Sequence, residues 1–217
     1  MIDERIRAVL DFVKFGRVAD IGADHGYLAI ELARSGRAEK IIATEKNFGP
    51  CDALSKNISA AGFGGAIDVR LGDGLKILSA GEVDTICVAG MGGALIKKIL
   101  DDAPEVVQSA RQLILQPMNA TEKIRAWLAE KSWTIADENL AEAGGIIYEI
   151  ISAEKFPDSP PKIFKRESSP LLKKFFRQRL EKLLRVRDEM SKSSAAASTE
   201  KFSELQTEID RLKNFCR

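Results

Sequence analysis

The residues with the most evident chemistry form the run Asp20-Ile21-Gly22-Ala23-Asp24-His25-Gly26, which follows a short apolar segment and precedes a helical pattern. A glycine loop between a strand and a helix lets a ligand approach the backbone closely. A pyrophosphate-binding loop of the form G-x-G-x-x-G would place its second glycine where Asp24 stands, and a carboxylate there repels phosphate. Asp20 and Asp24 favour a ligand that carries positive charge and no phosphate. S-adenosylmethionine, with its sulfonium and its amine, meets both conditions. Glu45 ends the next apolar run, where an acid can take both hydroxyls of a ribose. Asp73, in Leu71-Gly72-Asp73-Gly74, is placed to accept from an adenine amino group. The cofactor-binding set expected is Asp20, Gly22, Asp24, His25, Gly26, Glu45, Asp73, Gly74 and Ala89. Asp24 and Asp73 could each instead cap the helix that follows.

A second group sits further along the chain. Ala89-Gly90-Met91-Gly92-Gly93 reads as a flexible loop, poor in side chains, that lets a flat substrate reach backbone groups. The alternative is a tight turn before a helix opening at Ala94. Enzymes that methylate an exocyclic adenine amine usually carry Asn/Asp-Pro-Pro-aromatic here, and that motif is absent. Gln116 and Asn119, in Leu115-Gln116-Pro117-Met118-Asn119, could read a base edge, and Asn119 could equally cap a helix. The catalytic set expected is Asp24, Gly90, Met91, Gly92, Gln116 and Asn119. His25 reads as a hydrogen-bonded structural group and Tyr27 as a packing residue. Cys51, Cys87 and Cys216 are scattered, which fits a reducing compartment and core filling rather than disulfides or zinc. A single histidine rules out a multi-histidine metal site, so no metal is expected.

The elements that must position these residues alternate in type. Strands are expected at Arg17–Gly22, Lys40–Glu45, Ala66–Leu71, Asp84–Ala89, Arg111–Gln116, Trp133–Leu140 and Gly145–Ser152, with helices over about 26–35, 49–61, 92–101 and 121–131. The runs are short, apolar and rich in β-branched residues, as in a parallel sheet buried on both faces. Only a turn containing Gly144-Gly145 joins the last two, so they should pair as a hairpin. The expected fold class is α/β: a Rossmann-like, doubly wound, seven-stranded sheet with an antiparallel edge hairpin, over residues 1–155. Residues 156–170, with four prolines and three serines, read as a linker. Over 171–217, Leu172, Phe176, Arg179, Leu183, Val186 and Met190, then Phe202, Leu205, Ile209, Leu212 and Cys216, fall at coiled-coil spacing. They predict a C-terminal α-helical hairpin around a turn at SKSSAAAST.

With 217 residues, 45 % hydrophobic and 30 % charged, the chain is expected to be folded rather than disordered. No apolar run approaches the ~20 residues of a membrane span, and Asp3, Glu4, Arg5 and Arg7 interrupt any leader-like start; a cytoplasmic protein is expected. Residues 1–161 carry 18 basic and 24 acidic side chains, whereas 162–217 carry 15 and 8. An acidic body with a basic tail points to a small molecule in the body and a polyanion at the tail. A solvated helix face is the bland alternative.

Taken in order, ADIGADHGYLAIELA, ATEKNFGP, IDVRLGDGL, VAGMGGALI, LILQPMN and YEII, followed by a helical hairpin, resemble the bacterial tRNA (adenine-22-N1)-methyltransferases. The likeness covers nearly the whole chain. It implies S-adenosylmethionine held at Gly22, Asp24, Glu45, Asp73 and Gly74, and a target-base site near Gly90–Gly93 and Gln116–Asn119. It also implies a C-terminal coiled-coil domain that helps hold tRNA; the basic hairpin residues Lys173, Lys174, Arg177, Arg179, Lys182 and Arg185 are expected to make that contact, and a monomer or weak dimer is expected. The chain departs from the family pattern at Met118, at Ala94 and at Ile163-Phe164-Lys165-Arg166-Glu167. Two other readings fit the residues: a small-molecule or protein methyltransferase whose hairpin dimerises, and a non-catalytic RNA-binding protein that keeps the fold.

Overall fold

The computed structural model describes residues 2–14, 16–157, 170–193 and 199–215. It divides into two compact units, Met1–Phe164 and Lys165–Arg217. Apart from Phe156, Pro157 and Pro170, the expected linker lies outside the described residues. So do the centre of the expected hairpin turn and Cys216.

In the first unit, α1 (Glu4–Phe12) starts at Asp3, whose carboxylate accepts from the Ile6 amide at 2.9 Å. Then follow β1 (Arg17–Ile21), α2 (Tyr27–Ser35), β2 (Lys40–Glu45), α3 (Phe48–Ala60) and β3 (Ile67–Leu71). Next come a 3-10 turn (Gly74–Ile77), β4 (Thr85–Met91), α4 (Gly93–Asp101), α5 (Pro104–Ser109) and β5 (Gln112–Pro117). The unit closes with α6 (Thr121–Glu130), β6 (Thr134–Ala143) and β7 (Ile146–Glu154). Neither α5 nor the 3-10 turn was expected. Each is only about a turn or two long, too short for its periodicity to stand out. Pro104 opens α5, where its missing N–H costs nothing.

The seven strands form one sheet in the order β3-β2-β1-β4-β5-β7-β6. The first five are parallel, and β7 runs antiparallel to both β5 and β6. The expected hairpin is therefore present, with its second strand inserted beside β5 and its first strand left at the edge. The sheet is buried on both faces by alternate side chains. Val18, Ala43, Cys87 and Ile114 face α1, α2 and α3 through Val9, Leu32 and Leu54. Ala19, Ile42, Val88 and Leu115 face α4 and α6 through Ile96, Leu100 and Trp127. This alternation explains why the strands read as continuous apolar runs.

At the amino ends of β1 and β4, Asp84 accepts from Arg17 Nε at 2.9 Å, Nη2 at 2.8 Å and the Arg17 amide at 3.0 Å. This clasp sets the register of the two central strands.

The second unit holds α7 (Pro170–Ser191) and α8 (Glu200–Phe215), packed on each other. Leu172, Ile209 and Leu212 are buried as the seam pattern required. Val186, placed on the same seam, is 42 % exposed. Arg179 at the seam forms an ion pair with Glu208 at 3.3 Å, so a charge there is neutralised across the helix pair.

The Arg17 hydrogen bonds hold the Asp84 carboxyl at about 2, and Arg70 does the same first for Glu82, also at about 2. A carboxyl whose folded pKa lies below its unfolded value stabilises the fold above that unfolded value and loses the contribution as pH falls. Urea titrations should therefore show a midpoint that drops between about pH 5 and pH 2, with a shallower drop in Asp84→Asn.

Candidate active site

The connections from β1 and β4 leave toward opposite faces of the sheet, β1 into α2 and β4 into α4. Their carboxyl ends therefore part, and a crevice opens at this switch in strand order. A cavity of about 230 Å³ lies there. Asp20, Gly22, Asp24 and His25 line it from the β1 side, and Ala89, Gly90 and Met91 from the β4 side. Arg5 and Ile6 of α1 also reach it.

Gly22 and Ala23 both donate to the Thr44 carbonyl, at 2.9 and 3.0 Å, which ties the loop after β1 to β2. Gly22 has a φ of +69°, and a Cβ there would lie 2.1 Å from Met91 Cε. The two sides of the crevice thus touch at a position that only glycine suits.

Asp20 is 5 % exposed, and its Oδ2 has no hydrogen-bond partner among the described residues. Burial pushes its carboxyl up to about 7, the Ala29 amide pulls it down, and the charge on Glu45 adds to the rise. Asp24 is held at a φ of +50°, an uncommon conformation for a residue with a side chain. Its carboxylate is exposed, 3.7 Å from His25 Nε2. His25 is exposed too, and its ring faces the Asp24 carboxylate rather than the core. Tyr27 is 54 % exposed at the cavity wall rather than packed in the core.

Neither Asp24 nor Asp73 caps a helix. The residue before α2 is Gly26, and the 3-10 turn after Asp73 has no side-chain cap. Asp73 is bridged by Lys46 and Lys76, each at 3.0 Å; these bonds, Lys76 first, hold its carboxyl below the usual range. Glu45 Oε1 accepts from the Lys46 amide at 2.9 Å, and the Gly72 amide donates to the Glu45 carbonyl at 2.9 Å. Glu45, Asp73 and Gly74 thus gather at the ends of β2 and β3, and none of them lines the cavity.

On the β4 side, Gly90 and Met91 belong to the strand itself, where a register shift lies between Ala89 and Met91. They are not the free loop expected, because the Met118 amide pairs with the Met91 carbonyl at 2.8 Å and holds this end to β5. Gln116 is fully buried. Its Oε1 accepts from the Gly90 amide at 3.0 Å and from Arg5 Nη1 at 3.2 Å, and its Nε2 donates to the Pro117 carbonyl at 3.1 Å. Gln116 therefore shapes the site but presents no edge to a base, a correction of the expectation above. Asn119 does not cap α6, which starts from Ala120 without a side-chain cap. It is exposed, with Oδ1 over Gly92. Arg5 was missed, because its partner Gln116 lies 111 residues away and no local pattern links them.

The chain has well-matched relatives. Residues 2–151 match the methyltransferase domain family. The chain is 37 % identical over 154 residues to a tRNA (adenine(22)-N(1))-methyltransferase of Bacillus subtilis; the match spans 70 % of this chain and 65 % of that relative. The crystal structure of the B. subtilis m1A22 tRNA methyltransferase superposes with a TM-score of 0.84 at 29 % identity, over 100 % of this chain and 99 % of that one. A Streptococcus pneumoniae candidate tRNA (m1A22) methyltransferase, in complex with S-adenosyl-L-methionine, superposes with a TM-score of 0.85 at 31 % identity over the full length of both chains.

A Cβ on Gly93 would lie 2.6 Å from the Ala120 carbonyl oxygen and 2.8 Å from that of Asn119. Backbone cannot swing aside, so Gly93→Ala should lower stability by about 2 kcal/mol in urea unfolding. Gly49→Ala, with open space around its Cβ, should stay near wild type.

The domain match and the end-to-end likeness to the S. pneumoniae protein agree with the order of motifs, and the chain belongs to the bacterial tRNA (adenine-22-N1)-methyltransferase family of methyltransferase-domain proteins.

Proposed function

We propose that the protein transfers a methyl group from S-adenosylmethionine to N1 of adenine 22 of bacterial tRNA. The observation that carries this reading is the acid-lined crevice between β1 and β4, with the orphaned, buried Asp20 oxygen in its wall. A cationic ligand fits such a wall, and a pyrophosphate does not. When bound, S-adenosylmethionine supplies an electrophilic methyl group.

Asp20 and Asp24 would hold the charged end of the cofactor. Glu45 would take the ribose hydroxyls. Asp73 would accept from the adenine amino group once a lysine partner yields. Adenine N1 carries a lone pair at neutral pH and needs no strong base, only in-line placement. Gly90, Met91, Gly92 and Asn119 give the target base its berth, and Gln116 fixes the backbone of Gly90. Methylation leaves the base cationic, and the nearby carboxylates stabilise that developing charge. The target nucleotide must first leave its stack.

The tRNA body would rest on the second unit, with residues 1–155 as the catalytic domain and 171–217 as the helical one. Lys173, Lys174, Arg177, Lys182 and Arg185 are exposed there. Arg179 acts inside the hairpin with Glu208. No helix among the described residues is long and apolar enough to cross a membrane, and no cluster among them suits a metal ion. We place the enzyme in the cytoplasm with its substrate.

Incubation with labelled S-adenosylmethionine and unmodified tRNA transcripts, followed by nuclease digestion and mass spectrometry, should find 1-methyladenosine at position 22. Cofactor binding without transfer to any tRNA overturns the reading in favour of a small-molecule or protein substrate. By calorimetry, Asp24→Asn should bind S-adenosylmethionine at least about tenfold more weakly. Below about 7 the Asp20 carboxyl is protonated, and above it the anion faces the cationic cofactor. Cofactor affinity should thus rise between about pH 6 and pH 8, and Asp20→Asn should flatten that rise.

A further inference from the structure

Arg5 is the one lysine or arginine among the described residues lining the cavity, and cofactor binding and methyl transfer as outlined make no use of it. Its Nη1 donates to Gln116 Oε1 at 3.2 Å and lies 3.8 Å from Met118 Sδ. The guanidinium carbon stands 5.7 Å from the centre of the Tyr148 ring. Asp3 is the nearest carboxylate with which it pairs, at 3.6 Å from Nη2, beyond hydrogen-bond length. A Cβ on Gly90 would come within 3.1 Å of Nη1, so the strand backbone makes room for it. The side chain is 22 % exposed. A planar cation is thus held on one side by Gln116 and Tyr148, with donors to spare at the mouth of an acidic crevice.

The sign of that charge selects its ligand. The base becomes cationic on methylation, so a guanidinium against the ring would oppose the reaction. The backbone of an RNA brings anions to the same mouth, and the acids of the crevice repel them. A guanidinium matches a phosphate with paired N–H donors. We propose that Arg5 binds a phosphate flanking the target nucleotide of the tRNA while that base occupies the cavity, a role that rests on the tRNA-methylation reading.

The test uses the full chain, unmodified tRNA transcript and S-adenosylmethionine, with Arg5→Gln and Arg5→Lys beside wild type. Arg5→Gln should raise KM for tRNA about tenfold or more, with cofactor affinity and Tm unchanged. The slope of log Kd for tRNA against log salt should shrink by about one. Arg5→Lys should keep the slope and recover part of the KM. On the unaltered protein, a tRNA with neutral methylphosphonates on both sides of the target adenosine should raise KM by a similar factor. An unchanged KM with that RNA overturns the proposal, whichever variants fold. So does a fall in kcat alone in Arg5→Gln with the salt slope intact, which assigns Arg5 to holding Gln116 and Gly90. Absence of transfer to unmodified tRNA by wild type overturns the methylation reading itself; transfer by wild type that Arg5→Gln leaves unchanged overturns only the phosphate contact.

Discussion

The parting of β1 and β4 governs this molecule. Two neighbouring parallel strands send their helices to opposite faces, so no connection covers the space beyond their carboxyl ends. The crevice is a consequence of chain direction, not of any side chain. Once it exists, whatever ends β1 and β4 becomes its wall. The Arg17–Asp84 clasp at the far ends of the same strands fixes their register, and with it the height at which Asp20 and Ala89 stop.

The second constraint is electrostatic. Asp20 is buried on a strand packed on both faces, and its Oδ2 has no donor among the described residues. The start of α2 offers the Ala29 amide, but Glu45 at the end of β2 works against it. A carboxylate in this position destabilises the folded chain near neutral pH, and a cation brought beside it would relieve that cost. A cationic cofactor held there, as proposed, would complete an ion pair with this carboxylate.

The third constraint is mechanical. Buried Gln116 joins the β4 terminus to α1 through one oxygen that serves both Gly90 and Arg5. Met91 Cε sits over Gly22, and Gly93 packs against the backbone of Asn119 and Ala120. The β1 and β4 walls of the crevice thus touch through Met91, and the backbone contact at Gly93 fixes the start of α4 against the end of β5.

The local pattern of the chain was enough to mark its strands, most of its helices and the acids at three strand ends. Those features follow from neighbours in sequence: apolar runs buried on two faces, helical spacing, and glycines at turns. It also separated an acidic body from a basic tail. It did not show that β7 would insert between β5 and β6, nor that Gly90 and Met91 would remain in the sheet. It read Gln116 as a base contact, because an amide near a strand end looks the same whether it faces a ligand or a buried amide. Arg5 was invisible, since helical spacing marks the apolar face of α1 and says nothing of what the polar edge meets. Tertiary structure decided these points: pairings such as that of Arg5 with Gln116, 111 residues apart, depend on sheet order and packing, and no short window of sequence carries that information.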